Sequence, residues 1–449
     1  MLYNDLTFTI AMRQESGYSV TAVAEHLGRI SETLPPADLR LQGLLSAVAA
    51  LAPADHDEAL LRTAGEALFA WLTPGALATH LRLAWDRAER QGHGLRLCLS
   101  IDAPEINAWP WELLHDPVRD HSFGASPSTP LLRYLDRADQ FGALAELEAE
   151  LPLHILLVVP QTPDLDLARE RSAIEEAIAS LQGALQLRVL DGLVTRTALA
   201  DALLAGQYSI VHGSGHGGFV DGRGYVGLNK ADGATDWVDS QTLARFFVNY
   251  RSLKLVILNV CSSGRLDDAR AFQGLAPQLV RRGVPAVIAM QYPLTDEAAL
   301  QFAREFYRRL CLGQDAGRVD VAVAHARNML AILSPGDRAF AAPVLYTHAA
   351  DGVVFTLPRE AAVSEVLDPG SRRARLAMLV NSLERSLDFE EDWALADRAQ
   401  LATWRGTLKQ AEEAYWAHLA SPQADVQRVA SQGLAVLQAR LEALDAALR

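Results

Sequence analysis

The chain has 449 residues, 50% hydrophobic and 21% charged, with a formal net charge of −14 at pH 7. That length favours two to four domains, and that balance belongs to a globular protein with a substantial core. The acidic excess, with no run of Lys or Arg, argues against a nucleic-acid or anionic-membrane partner, both of which need a basic face.

Along the chain, Leu6, Phe8 and Ile10 alternate as in a strand, and a helical period is expected from residue 19 to residue 51. Leu95, Leu97, Leu99 and Ile101 alternate strictly and predict a half-buried strand. Trp109-Pro110-Trp111-Glu112-Leu113-Leu114-His115-Asp116-Pro117 reads as a packed turn, and residues 121–130, with Ser, Pro and Gly, as a surface loop. Residues 1–150 form a mixed α/β N-terminal region on this reading.

From residue 151 the pattern changes. Short continuous apolar runs at 153–159, 185–190, 208–211, 255–260, 286–290 and 343–347 predict buried strands. Helical segments are expected at 167–181, 196–204, 240–249, 272–281, 296–312 and 319–333. Such alternation predicts an α/β fold over residues 151–358, a mostly parallel sheet sandwiched by helices. After Asp368-Pro369-Gly370 the pattern is helical, with Leu434, Leu437, Leu441 and Leu444 at three-four spacing. Residues 359–449 are expected to be helical, as a small intramolecular bundle or, in the alternative, with a coiled-coil seam.

Three cysteines, Cys98, Cys261 and Cys311, are too few and too scattered for a disulfide framework and suit a reducing, cytoplasmic compartment. The opening MLYNDLTFTI lacks the basic and apolar stretches of a secretory signal. The longest apolar run, around residues 44–52, falls short of the ~20 residues that cross a bilayer.

Two segments carry chemistry: YSIVHGSGHGG at 208–218 and LVILNVCSSG at 255–264. Each is a buried strand ending in small residues and a reactive side chain, and ligands of open α/β sheets sit at the carboxyl ends of strands. Neighbouring parallel strands would bring His216 and Cys261 to one sheet edge, about 4.8 Å apart. A thiol is mostly protonated at neutral pH and needs an imidazole beside it to act as an acyl-transfer nucleophile. The glycines around His216 leave room for a peptide and free backbone N–H groups for an oxyanion. His216 lies 45 residues before Cys261, close to the spacing of about 50 in caspases. The caspase signature itself is not met, because Ser262-Ser263-Gly264 follows the cysteine.

Other readings of these residues are weaker. Gly213-Ser214-Gly215-His216-Gly217-Gly218 matches a dinucleotide-binding pattern, but residues 219–229 alternate like a hairpin, leaving no helix N-terminus for a pyrophosphate. His212 and His216 have the spacing of a helical zinc pair, but glycines and a strand surround them. No metal and no cofactor is expected. Asp232, Asp236, Asp239 and Asp296 could line a pocket for a basic side chain, although Asp239 and Asp296 stand where helix N-caps belong.

The sequence resembles the CHAT domain, a caspase-like peptidase domain of clan CD related to caspases and separases. His212-Gly213-Ser214-Gly215-His216-Gly217 fits the family's H-x-x-G-H-G block. Leu258-Asn259-Val260-Cys261-Ser262-Ser263-Gly264 fits its L-x-A-C-x-[ST]-G block, except that Val260 replaces Ala. Pro110-Trp111-Glu112-Leu113-Leu114, the stretch from Val287 through Pro293, and the closing run from Ala322 to Arg327 resemble flanking blocks. The resemblance spans roughly residues 60–357. It implies a caspase-like fold with Cys261 as nucleophile and His216 as its base. It implies an oxyanion hole from the backbone N–H groups of Gly217 and Cys261, and a substrate pocket near Asn259, Ser262, Gln291 and Tyr292.

The function expected is that of a cysteine endopeptidase acting on a protein substrate, in bacterial regulated proteolysis, defence or cell death, with a regulatory or effector protein as partner. The alternative is a catalytically silent scaffold that recruits partners through its helical tail.

Overall fold

Apolar patterns of period two, then of continuous runs, generate the sheet that carries the site. The computed structural model describes residues 2–13, 17–135, 151–162, 167–179, 181, 184–220, 223–262, 271–313, 315–349 and 351–357. The boundary expected at residue 150 and the helical region expected at 359–449 lie outside the described residues.

The chain opens with β1 (Tyr3–Met12), β2 (Tyr18–Ala24) and β3 (Gly28–Leu34), followed by α1 (Leu39–Ala50), α2 (Glu58–Leu72), α3 (Ala76–Arg90) and β4 (Gly94–Ile101). Leu6, Phe8 and Ile10 are buried at alternate positions of β1, as a half-buried strand requires. The helical period expected from residue 19 begins only at Leu39; residues 18–34 are an antiparallel hairpin paired to β1. Val20, Ala22 and Ala24 alternate inward, and such a short run of small apolar residues fits either period until a neighbouring strand selects one. Next come α4 (Pro104–Asn107), a 3-10 turn at Trp111–Leu113, the two-residue pair β5 (His115–Asp116) and β6 (His121–Ser122), and β7 (Leu131–Tyr134). The loop expected at the surface over 121–130 is partly interior. Phe123 is fully buried, edge-on to Trp85 with ring centroids 5.2 Å apart, and Thr129 is buried too.

The alternating portion runs β8 (Leu153–Pro160), α5 (Leu167–Ala179), β9 (Leu185–Gly192), α6 (Arg196–Ala205), β10 (Ile210–Val220), β11 (Arg223–Asn229), β12 (Thr235–Asp239) and α7 (Ser240–Phe247). It continues with β13 (Leu255–Ser262), α8 (Ala271–Arg281), β14 (Ala286–Met290), α9 (Asp296–Cys311), α10 (Val319–Leu333) and β15 (Pro343–Thr347). Side-chain caps set several helix starts: Asp239 accepts from the Thr242 N–H at 2.7 Å and Thr295 from the Ala298 N–H at 3.2 Å. Asp296 is therefore the first residue of α9, one past the cap expected of it.

One sheet of 13 strands runs β9-β8-β10-β13-β14-β15-β7-β4-β1-β2-β3, and the β11–β12 hairpin is added alongside the far half of β10. The antiparallel pair β14–β15 separates two parallel blocks, β9-β8-β10-β13-β14 and β15-β7-β4-β1. Helices cover both faces of the first block. Ile210, Leu255 and Ile257 pack with Ile174 of α5 and with Phe302 and Phe306 of α9. Val211, Val256 and Leu258 pack with Leu203 of α6, Phe247 of α7 and Leu279 of α8. A third cluster joins β1, β2 and β4 to α2, α3 and Trp111. The fold is α/β, a large mostly parallel sheet between helices.

Candidate functional site

The site begins with strand register. β10 and β13 are parallel neighbours, paired from Ile210↔Leu255 to Gly217↔Ser262, and this register sets His216 beside Cys261. Adjacent strands lie about 4.8 Å apart, so the two backbones are within side-chain reach at the carboxyl ends of central strands. His216 is buried, at 4% exposure. The Cys261 side chain lies outside the described atoms; its backbone is part of β13. Gly215, just before His216, has φ +149°, a conformation that L side chains rarely adopt, so the H-x-x-G-H spacing is met by the one residue suited to it.

Two residues before each of these positions, Ser214 and Asn259 are also paired across the strands. Both reach the same oxygen. The Ser214 hydroxyl donates to Glu170 Oε1 at 2.6 Å, and Asn259 Nδ2 donates to it at 2.5 Å. Glu170 stands in the first turn of α5, and all three side chains are buried. Burial pushes the Glu170 carboxyl above the usual range; the bonds from Ser214 and Asn259 oppose that shift, and Asp296 adds to it. Two residues further back along β10, His212 Nδ1 and the Tyr307 hydroxyl of α9 hydrogen-bond at 2.8 Å. Burial lowers the His212 pKa to about 3, which keeps the ring neutral.

The remaining expected site residues are placed as follows. Gly217 is buried in β10, opposite Val226 on one side and Ser262 on the other. Gln291 and Tyr292 follow β14 and are buried. Gln291 Nε2 donates to Glu112 Oε2 at 2.7 Å and to the Ala341 carbonyl at 2.6 Å. The Tyr292 ring lies under the Arg338 guanidinium at 4.4 Å and packs with the N-terminal core. Glu112 also holds Arg133 at 2.8 Å, and Arg327 lies 3.8 Å from it. Thus the Trp-Glu turn, the end of β14 and the last turns of α10 meet at one buried carboxylate.

The acids considered for a basic pocket are engaged elsewhere. Asp232 accepts from the Ala234 N–H at 3.0 Å, Asp236 pairs with Arg196 at 2.6 Å, Asp239 caps α7, and Asp296 lies 3.9 Å from Arg169. Among the described residues no group of three or more His, Cys, Asp or Glu is placed to hold a metal ion. Cys98 and Cys311 are both buried thiols; burial raises the Cys98 pKa, and that of Cys311 to about 12.

Sequence reasoning passed over Glu170 and the Glu112 cluster. A signal for Glu170 was present: it shares the helical stripe of Ala173, Ile174, Ala177 and Ile178, where a carboxylate is out of place unless something binds it. Glu112 carries no such mark, since its partners come from residues 133, 291 and 327.

Two crystal structures of the Saccharomyces cerevisiae separase–securin complex are similar to this chain, with TM-scores of 0.41 and 0.40 and 13% sequence identity in each case. The similarity covers 79% and 77% of this chain, but only 30% of the matched chain each time. No curated protein matches the sequence. The CHAT domain family matches residues 62–423, most of the length and all of the strand–helix portion. The chain belongs to the CHAT domain family, the caspase-like family whose histidine and cysteine blocks its own sequence resembles.

Proposed function

We propose that the protein is a cysteine endopeptidase that cleaves a protein substrate through Cys261 and His216. The observation that carries this reading is the parallel register that seats His216 next to Cys261 where the pairing of β10 with β13 ends. His216 takes the thiol proton as the Cys261 sulfur attacks the scissile carbonyl carbon, and the carbonyl electrons move onto oxygen. The backbone N–H groups of Gly217 and Cys261 donate to that oxyanion. Collapse expels the amine, which receives the proton from His216, and leaves a thioester that water then hydrolyses with His216 as base. Asn259 and Ser262 border the substrate pocket, and Gln291 and Tyr292 act on it by fixing the end of β14. The two core thiols suit the reducing cytoplasm. Within the family setting, the substrate is a regulatory or effector protein of bacterial regulated proteolysis, defence or cell death.

A peptide-library cleavage profile tests the reading. Wild type should release products that Cys261→Ala does not release at all. His216→Ala should retain a rate lower by ~10²–10⁴-fold, the usual contribution of a general base. Both variants should melt within a few degrees of wild type. Cleavage by Cys261→Ala at the wild-type rate would overturn the assignment.

A further inference from the structure

Glu170 lies outside both sequence blocks, yet its side chain touches the approach to each of them. Ser214 precedes His216 by two residues on β10, and Asn259 precedes Cys261 by two on β13. A single carboxylate oxygen from α5 accepts from both, at 2.6 and 2.5 Å. We infer that Glu170 is a positioning residue: its Oε1 locks the two strand ends in register, so that His216 and Cys261 stand at one height along the sheet. The inference rests on the peptidase reading above and adds a residue to it.

Three physical points support the assignment. Backbone pairing of β10 with β13 fixes the strands laterally, but that pairing stops at Gly217↔Ser262, one residue past His216 and Cys261, where a ladder is most prone to fray. A shared acceptor anchored on a helix resists that fraying from a third direction. The helix is itself secured, since Ile174 and Ile178 of α5 are buried in the cluster that contains Phe302 and Phe306. Finally, a buried carboxyl on the apolar face of a helix costs stability unless its hydrogen bonds are made, so its presence needs the partners it has here. The like charge of Asp296, at the start of α9, acts on it as well.

Positioning and charge make different demands. A glutamine keeps an oxygen that can accept from both Ser214 and Asn259, but it has no charge; an alanine keeps neither. The measurement is the rate at which iodoacetamide alkylates Cys261 near pH 6, followed by peptide mass spectrometry on the full chain well below its melting temperature. The buried thiols of Cys98 and Cys311 serve as internal references. Glu170→Gln should stay within about threefold of wild type, while Glu170→Ala should fall at least about tenfold, toward the rate of His216→Ala. Ser214→Ala, which loses one of the two bonds, should fall between them; it carries the test if Glu170→Ala does not fold. Direct removal of a buried anion would by itself favour the thiolate, so loss of charge cannot mimic the slowing expected from loss of position.

Alkylation of Glu170→Ala at the wild-type rate would overturn the inference, as would a Glu170→Gln variant as slow as Glu170→Ala. Those outcomes leave the peptidase reading intact provided that wild type still reacts faster than His216→Ala. Equal rates for wild type and His216→Ala would instead remove the pairing of the two residues, and the role of Glu170 with it.

Discussion

Glu112 shows how much can depend on one buried atom group. Its side chain is fully buried, yet it faces Arg133 at 2.8 Å, Gln291 at 2.7 Å and Arg327 at 3.8 Å. Burial lowers the Arg327 guanidinium to about 10 even with Glu112 beside it. Arg327 also donates to the Pro343 carbonyl at 2.6 Å and to the Leu131 carbonyl at 3.2 Å, so it ties β15 to β7. Removing the carboxylate leaves two guanidinium groups without their counter-charge, a loss of about 3–5 kcal/mol for a broken buried pair. Glu112→Ala should therefore shift the urea midpoint strongly, and Glu112→Gln less, since the amide oxygen can still accept from Arg133. An unchanged midpoint in Glu112→Ala would mean that the cluster contributes nothing net. The sequence marks this turn by its tryptophans and prolines; the role of its acid emerges only when three distant segments converge.

At the scale of elements, packing distance decides what a helix can carry. Gly65 of α2 lies against the 3-10 turn at Trp111–Leu113, and a Cβ there would fall inside contact distance of the Leu113 carbonyl oxygen. Gly43 of α1 has open space around the same position. The two glycines should therefore respond in opposite directions. Gly65→Val should destabilise by about 1–3 kcal/mol or more through overpacking. Gly43→Ala should stabilise by roughly 0.5–1 kcal/mol, because it removes a poor helix former with no contact to lose. Thermal melting of both variants checks the pair, and a stabilised Gly65→Val would contradict the close approach of α2 to the turn. Sequence patterns treat these glycines alike. They also read residues 19–34 as helix, because Val and Ala at short spacing satisfy two periods until β1 pairs with them.

Across the whole molecule, buried imidazoles set an acid limit on stability. The His212 pKa is lowered to about 3 and the His121 pKa to about 4, both chiefly by burial. The unfolded chain binds these protons near pH 6.5 and the folded chain does not. Stability is therefore fully present above about pH 6.5 and declines as pH falls toward the folded values, by up to ~1.4 kcal/mol per pH unit for His212 alone. Unfolding free energies from urea titrations at pH 7 and pH 5 should differ by about 2 kcal/mol more in wild type than in His212→Gln. That variant retains a group able to hydrogen-bond Tyr307. Equal differences would place the His212 ring in a more solvated setting than its 2% exposure indicates.

The sequence by itself determined the strand–helix alternation beyond residue 151, because continuous apolar runs of strand length have few other solutions. It also singled out His216 and Cys261, since strand, glycines and reactive side chain are contiguous within each block. The tertiary structure decided what depends on residues far apart in the chain. It set the register that pairs His216 with Cys261 and the single sheet that joins β1–β4 to β8–β15. It also brought together the buried carboxylates of Glu170 and Glu112, whose partners lie 21 to 215 residues away. Hydrophobic period reports which face is buried; it carries no record of which strand lies alongside, or which donor meets a buried acid.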